Sequence, residues 1–522
     1  MARYKAYDLS QAKMIPLSYA DQIVPGSFEH ALNEIVEKHL DLAVFDRRYA
    51  NDETGRPAYD PRLLLKVVLY GYYKGIVSSR SLAEACRRNV VFMALSADAR
   101  PHFTTIAGFV SELHREIVGL FRDVLLYASE LGLIGREHFA VDGCKLPSNA
   151  SKQWSGTHRE LEDKRKKLDR VAERIVERHR QQDAREQDGD GAVKHAKKLE
   201  KYRRKIDQIK AFLARGEKKQ GPSGNEQKSN ITDPESAKMA SSRGVIQGYN
   251  GLAVVDDQAQ IVVHAEAHGS GYEGHLLAPL LESTRTTFEV IAPGHDVLSE
   301  AKVTADSGFH SRAVVAAVEL TGADAYIADR DHRRRDPAFA GADRHKERSR
   351  RDRARERAKH AKDESKLFGP SDFLYDERKE LCVCPAGHRL YRSGQNMLFN
   401  GYRVAHFKAP LTACRNCPLR ARCLRHPERT RQRQVCFIKG REGARSDAKK
   451  NGPIERMRWK FDTAVGREIY SRRMATVEPV FANIQNKGMR RFTLRGRKKV
   501  NAQWQLFTMV HNIEKIAHAR AS

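Results

Sequence analysis

Cysteine is scarce, with eight residues in a chain of 522. That is too few for a disulfide scaffold in a chain of this length, so a local cluster of them points to metal before cystine. Long apolar runs are absent as well. No stretch approaches the roughly 20 apolar residues that span a bilayer. The opening stretch, MARYKAYDLSQAK, has no apolar signal core. We therefore expect a cytoplasmic protein that makes no use of a membrane. Acidic residues are also in short supply, 66 against 94 Lys plus Arg, for a net charge of +28. So basic a surface repels itself and calls for a polyanion, with nucleic acid the first candidate.

What is present suffices for several cores. Hydrophobic residues make up 40% of the chain, and its length allows two to four domains. Residues 1–135 read as an all-α, DNA-binding domain. Ser27 caps a helix with Phe28, Ala31, Leu32, Ile35 and Val36 at helical spacing, and Asp60-Pro61 opens another. Ser78 starts a short third. Thr104 is expected to cap one long helix that ends at Gly132. Short helices with tight turns and scattered bases suit a helix-turn-helix-like DNA reader.

Residues 136–330 change character. EHFAVDGCKL reads as a short strand ending on Asp142, with Gly143 turning the chain away. Residues 157–215 read as a charged antiparallel helical hairpin inserted into the sheet, with Leu161 and Leu168 on one stripe and Ile206, Ile209 and Leu213 on the other. Two strands joined near Asp257-Gln258 follow, then a helix over YEGHLLAPLLESTRTTF. AKVTADSGFHS is a strand ending on Asp306. A helix and a further strand, DAYIADRD, complete the pattern. This order predicts an α/β core on one mixed sheet. Residues 331–460 hold a charged linker and a small cysteine-rich β insertion. Residues 461–522 are helical and complete the core.

Acidic side chains at the ends of neighbouring strands can share hard divalent cations, which take oxygen ligands. Two such ions activate a water or hydroxyl and stabilise the leaving oxygen of a phosphodiester. Asp142 and Asp306 fit that pattern. Glu478, on an amphipathic helix with Tyr470, Arg472, Arg473 and Lys487 around it, supplies the third carboxylate. The bases suit a phosphate backbone held beside the metals, as do Lys145, Arg490 and Arg491. Ser148, Asn149 and Lys152 are placed with them by position alone. Asp233 and the pair Asp256 and Asp257 read as turn residues. The three carboxylates are expected to converge within ~8 Å.

Cys384, Cys414, Cys417 and Cys423 form a second constellation. CxxC with two outlying cysteines is expected to hold one structural zinc ion in a module with little core of its own. Cys382, His388 and His426 are alternative ligands. Cys86 and Cys144 read as packing residues.

These segments carry a resemblance. DPRLLLKVVLYGYYKGIVSSRSLAEACRRNV, VDGCKLPSNASK, TDPESAKM with GYNGLAVVD, TADSGFHS, and YSRRMATVEPVFANIQNKGMRRFTLRGRKKV occur in order along nearly the whole chain. The chain resembles a bacterial insertion-sequence transposase of the DDE class with an InsH-like N-terminal domain. The resemblance implies an RNase H-like fold and two magnesium or manganese ions on Asp142, Asp306 and Glu478. Tyr470 and Arg473 match the signature around the family's glutamate. Its lysine falls where this chain has Gln485, with Lys487 as a stand-in. The resemblance further implies cleavage at element ends, strand transfer into target DNA, and a homodimer or higher multimer at the nucleoid. Two rival readings are an RNase H-like nuclease without strand transfer and a non-catalytic DNA-binding protein.

Overall fold

In the computed structural model, which describes residues 18–48, 57–183, 189–221, 224–241, 244–339, 367–376, 379–399, 402–441 and 452–521, Ser27 Oγ accepts the His30 N–H and opens helix α1 (Phe28–Lys38). Asp60 caps α2 (Pro61–Tyr73) in the same way, with Pro61 in its first turn. Ser78 caps α3 (Ser79–Arg88), and Asn89 caps α4 (Val90–Leu95). The long helix expected after Thr104 is instead two. His102, not Thr104, caps α5 (Phe103–Glu112), a 3₁₀ turn follows, and α6 spans Ile117–Glu130. The break falls at Glu116, whose buried carboxylate is held by Arg48.

The chain forms two compact units, residues Met1–Arg330 with Met457–Ser522 and residues Asp331–Arg456. The first unit is built on one mixed sheet. Its central strand β1 (His138–Pro147) is longer than the sequence suggests. A two-residue ribbon, β2 (Ser155–Gly156) with β3 (Ser229–Asn230), sits at the base of the hairpin of α7 (His158–Asp183) and α8 (Gly189–Ala214). There Leu161 packs against Ile209, Phe212 and Ile231. Strands β4 (Ala237–Ser241), β5 (Gly244–Asp256) and β6 (Val262–His268) follow. After α9 (Leu277–Ile291) come β7 (Lys302–Ala305), α10 (Arg312–Leu320) and β8 (Asp324–Ile327). β5 pairs antiparallel with β1 on one side and with β6 and β4 on the other. β7 and β8 extend the sheet beyond β1 in parallel.

Two C-terminal helices, α11 (Ala464–Asn486) and α12 (Arg497–Ala521), close this unit. α12 is buried on nearly all sides, as a helix through a core must be. It also covers the edge of β6. The Asn512 side chain accepts from the Val262 N–H and donates to its carbonyl, both at 2.8 Å. Asn501 accepts from the Ala267 N–H, and Gln505 donates to the Ala265 carbonyl. An edge strand otherwise presents these groups unpaired. Trp504 Nε1 donates to the Leu252 carbonyl at 2.8 Å. Its indole lies against Gly251, where a Cβ would come within 2.9 Å of the ring.

The second unit carries a five-stranded antiparallel sheet in the order β13-β12-β11-β10-β9. The strands are β9 (Leu374–Asp376), β10 (Leu381–Val383), β11 (Arg389–Phe399), β12 (Tyr402–Lys408) and β13 (Gln434–Arg441). Its core is small: Phe373, Cys382, Leu390, Phe407 and Val435 are the main side chains. Of the charged run over 331–366, residues 340–366 lie outside the described residues.

Trp504→Ala removes the largest fully buried side chain and its hydrogen bond to the Leu252 carbonyl. We expect a loss of about 3–5 kcal/mol, read as a lower urea midpoint for the unfolding of the first unit.

Candidate active site

β1 and β7 run parallel and in register from His138 opposite Lys302 to Val141 opposite Ala305. Asp142 and Asp306 are the next residues on the two strands. They stand side by side where β7 ends, not on distant edges of the sheet. Asp142 itself is not at a strand end. β1 loses its parallel neighbour there but keeps β5, with Asp142 opposite Ala253 and Gly143 opposite Leu252. Gly143 therefore continues the strand and does not turn the chain away.

Asp142 is the better anchored of the two. Arg473 Nη2, from α11, donates to Asp142 Oδ2 at 2.8 Å and to the Val141 carbonyl at 3.3 Å. The Gly143 N–H donates to Oδ1 at 2.7 Å. Burial pushes the Asp142 carboxyl above its usual range. Arg473 and the Gly143 N–H pull it back, and Asp306 raises it again. Asp306 Oδ1 accepts from the Gly308 N–H at 2.9 Å, which shapes the turn after β7.

A third carboxylate, Glu273, stands close to Asp306, and its sequence pattern does not mark it. Glu273 lies just before the 3₁₀ turn that leads into α9. Asn250 Nδ2, from β5, donates to Glu273 Oε2 at 2.6 Å. Lys145 Nζ lies 3.9 Å from Oε1. Burial raises the Glu273 carboxyl. Asn250 and Lys145 lower it, and Asp306 and Asp142 push it up. The segment YEGHLLAPLL reads as one helix, so nothing in its pattern separates Glu273 from the solvent-facing acids of that helix. An acid directly before a glycine was the only signal.

Glu478 sits on α11, the helix that packs over β1 and β7. Its side chain is exposed. Among the described residues no hydrogen bond or ion pair joins it to Asp142 or Asp306. Seven residues make two helical turns, so Glu478 shares a side of α11 with Gln485. Gln485 lines a cleft of about 510 Å³ together with Gly143, Lys145, Glu273 and Arg490.

The remaining predicted residues divide. Lys145 and Arg490 line this cleft. Arg491 donates to Asn149 Oδ1 at 3.3 Å, and Arg472 Nη1 lies 3.9 Å from Asp257. Tyr470 packs edge-on against Phe461, with ring centroids 4.8 Å apart. Lys487 is buried. It pairs with Glu514 at 2.8 Å and lies over the Tyr73 ring, so it turns into the helical core and not toward the cleft. Asn149 ties to the Thr493 carbonyl, Lys152 reaches the Val245 carbonyl, and Ser148 is buried. Asp256 is structural, receiving the Gly135 and Arg136 N–H groups. Asp233 does more than start a turn. It accepts the Tyr249 hydroxyl at 2.6 Å and the Gly496 N–H.

In the second unit, Cys384, Cys414, Cys417 and Cys423 line one small cavity of about 20 Å³ with His388 and Arg420. Burial raises the Cys423 thiol, and the neighbouring Cys414, Cys384 and Cys417 add to that. Cys382 is instead part of the sheet core. The His388 N–H donates to Cys384 Sγ at 3.4 Å.

Among the described residues no three His, Cys, Asp or Glu side chains are already drawn into a metal-holding cluster. The donor chemistry nevertheless fits hard cations in the first unit, where oxygen ligands of like charge repel one another. The fully buried Asn250 Oδ1 also has no hydrogen-bond partner among the described residues.

Arg473→Ala strands Asp142 without its cation, and we expect a loss of about 3–5 kcal/mol. The Asp142→Asn, Arg473→Ala double variant should be destabilised by clearly less than the sum of the single changes. Denaturant unfolding of the four proteins measures the coupling.

Residues 18–112 match a family described as a transposase domain (DUF772), and residues 383–517 match one described as a transposase DDE domain. The second match takes in the four cysteines, α11 and Glu478. No curated protein and no solved structure matches the chain. The mixed α/β unit with its helical N-terminal region is compatible with the RNase H-like fold of such domains. Taken with the adjoining aspartates, the two matches indicate an insertion-sequence transposase of the DDE class, a family that implies metal-dependent DNA cleavage and transfer.

Proposed function

We propose that Asp142, Asp306 and Glu478 are the acids of this transposase, and that it cuts DNA at the ends of its element and joins them to target DNA. The observation that carries this reading is the adjacency of Asp142 and Asp306 across the parallel pair β1 and β7. Glu478 comes from the family resemblance and from its place on the side of α11 shared with Gln485.

The chain's own residues suit phosphodiester chemistry. A water oxygen attacks phosphorus, the 3′ oxygen leaves with the bonding pair and takes up a proton, and the freed 3′-hydroxyl then attacks a target phosphodiester in the same way. Two magnesium or manganese ions, when bound, lower the pKa of the attacking water and neutralise charge on the phosphate. Asp142 and Asp306 would hold them. Arg473 fixes the Asp142 carboxylate, and its backbone lies in a paired strand, so the site is rigid before DNA arrives. Lys145 and Arg490 offer positive charge for the DNA backbone in the cleft. A net charge of +28 supports a nucleic-acid partner. We place the enzyme in the cytoplasm at the nucleoid, working as at least a homodimer on paired ends. Among the described residues no helix is long and apolar enough to cross a membrane.

Asp142→Asn, Asp306→Asn and Glu478→Gln should each cut magnesium-dependent cleavage of end-bearing DNA to below roughly a thousandth, with end binding by mobility shift retained. Robust cleavage by any one of them removes that residue from the site. Paired ends with a supercoiled target plasmid separate the transposase from a nuclease, which yields nicked ends and no joined product.

We also propose a structural zinc on Cys384, Cys414, Cys417 and Cys423. The support is their shared cavity and the small core of the second unit. Purified protein should carry about one zinc per chain. Cys414→Ser with Cys417→Ser should abolish it, and elemental analysis of the wild-type protein showing no zinc would sink the idea.

A further inference from the structure

Gly143 and Gly308 mark one spot in the first unit from two sides. A Cβ built on Gly308 would lie 3.0 Å from Asp306 Oδ1 and 3.1 Å from Glu273 Oε1. These distances hold the two carboxylates within roughly 6 Å of each other, inside the ~8 Å that a two-metal pair bridges. A Cβ on Gly143, the residue next to Asp142, would lie 3.1 Å from Glu273 Oε2 and 3.0 Å from Asn250 Oδ1. Both glycines thus leave the space into which the Glu273 carboxylate reaches. Its Oε1 lies on the Asp306 side and its Oε2 on the side of Gly143 and Asn250.

We infer that Glu273 is a further metal-ligating carboxylate of the site, acting beside Asp142 and Asp306. This rests on the reading of Asp142 and Asp306 given above. Like charges gathered in a half-buried place destabilise one another unless a cation joins them. Lys145, at 3.9 Å, is a loose and partly exposed partner that leaves room for a stronger one. The second observation is Asn250. Its side chain is fully buried, its Nδ2 orients Glu273, and its Oδ1 points at the same spot with no donor to meet it among the described residues. An uncommitted buried oxygen beside the Glu273 carboxylate, which itself lies close to Asp306, is what a hard cation or its bound water would satisfy. Glu273 is also well supported for the task. β5 carries Asn250 in a fully paired register, and the 3₁₀ turn after Glu273 fixes its backbone.

The simpler alternative is that Glu273 only positions Lys145 and the start of α9. Manganese binding by the full chain, followed by electron paramagnetic resonance and by calorimetry, separates the two. Glu273→Gln keeps an acceptor for Asn250, so the fold is retained and its melting temperature without metal should stay the same or rise. We expect it to weaken manganese binding by roughly tenfold or more, with Glu273→Asp falling between it and the wild type. Wild-type manganese binding by Glu273→Gln, with Asp142→Asn clearly weakened, overturns this inference and leaves the Asp142–Asp306 site standing. Wild-type binding by Asp142→Asn as well overturns both.

Discussion

The ion pair between Arg473 and Asp142 is the contact on which the rest of the site depends. It joins the helix that carries Glu478 to the strand that carries the first aspartate. A half-buried carboxylate without a cation would be costly, and an arginine this buried would be costlier still without an anion. Each therefore fixes the other. The same guanidinium reaches the Val141 carbonyl, so it also sets how far α11 lies from the sheet. Each oxygen of Asp142 accepts one hydrogen bond and keeps further acceptor capacity. The carboxylate is thus oriented without being used up.

The chain reaches this arrangement across two long interruptions. The hairpin of α7 and α8 separates β1 from β5, yet the ribbon of β2 and β3 closes its base. The second unit interrupts the chain between β8 and α11. Where the chain returns, Arg458 pairs with Asp329 at 3.1 Å, Lys460 reaches Asp324, and Met457 Sδ accepts the Ile327 N–H. Both ends of the interruption are thereby pinned to β8. Closing a longer loop costs only slightly more than closing a shorter one, so a whole folded module can sit there without loosening the sheet. This is why β7, which leads to Asp306, and α11, which carries Glu478, belong to one compact unit despite their distance in sequence.

Much of the fold was legible because local physics decides it. Ser27, Asp60 and Ser78 cap the helices they were expected to cap, since a side-chain oxygen before an apolar stripe has few other uses. The strands over 302–305 and 324–327 are short, apolar and bounded by polar residues. What could not be read depended on partners. Asp142-Gly143 looks like a turn, but β5 supplies a full antiparallel partner and the strand runs on to Pro147. Thr104 looked like a cap, but the His102 ring nitrogen accepts its N–H. Lys487 looked free to meet phosphate, but Glu514 on α12 claims it. Glu273 was hidden for the opposite reason. Its neighbours in sequence say helix, and only Gly143, Asn250 and Gly308, remote in sequence, give it a role.

Charge organises the molecule on two scales. The chain as a whole is strongly basic, which favours a polyanion such as DNA. At the end of β7 the sign reverses, where Asp142 adjoins Asp306 and Glu273 lies close to Asp306 against the general trend. Arg473 offsets part of that local excess and Lys145 a little more. The remainder is a negative centre beside a cleft edged by Lys145 and Arg490. A phosphate backbone drawn in by the long-range field would be repelled by that centre itself. Divalent cations, which enzymes of this family use, would let the two anions approach, so the acids proposed to hold them would also decide whether bound DNA can be cut.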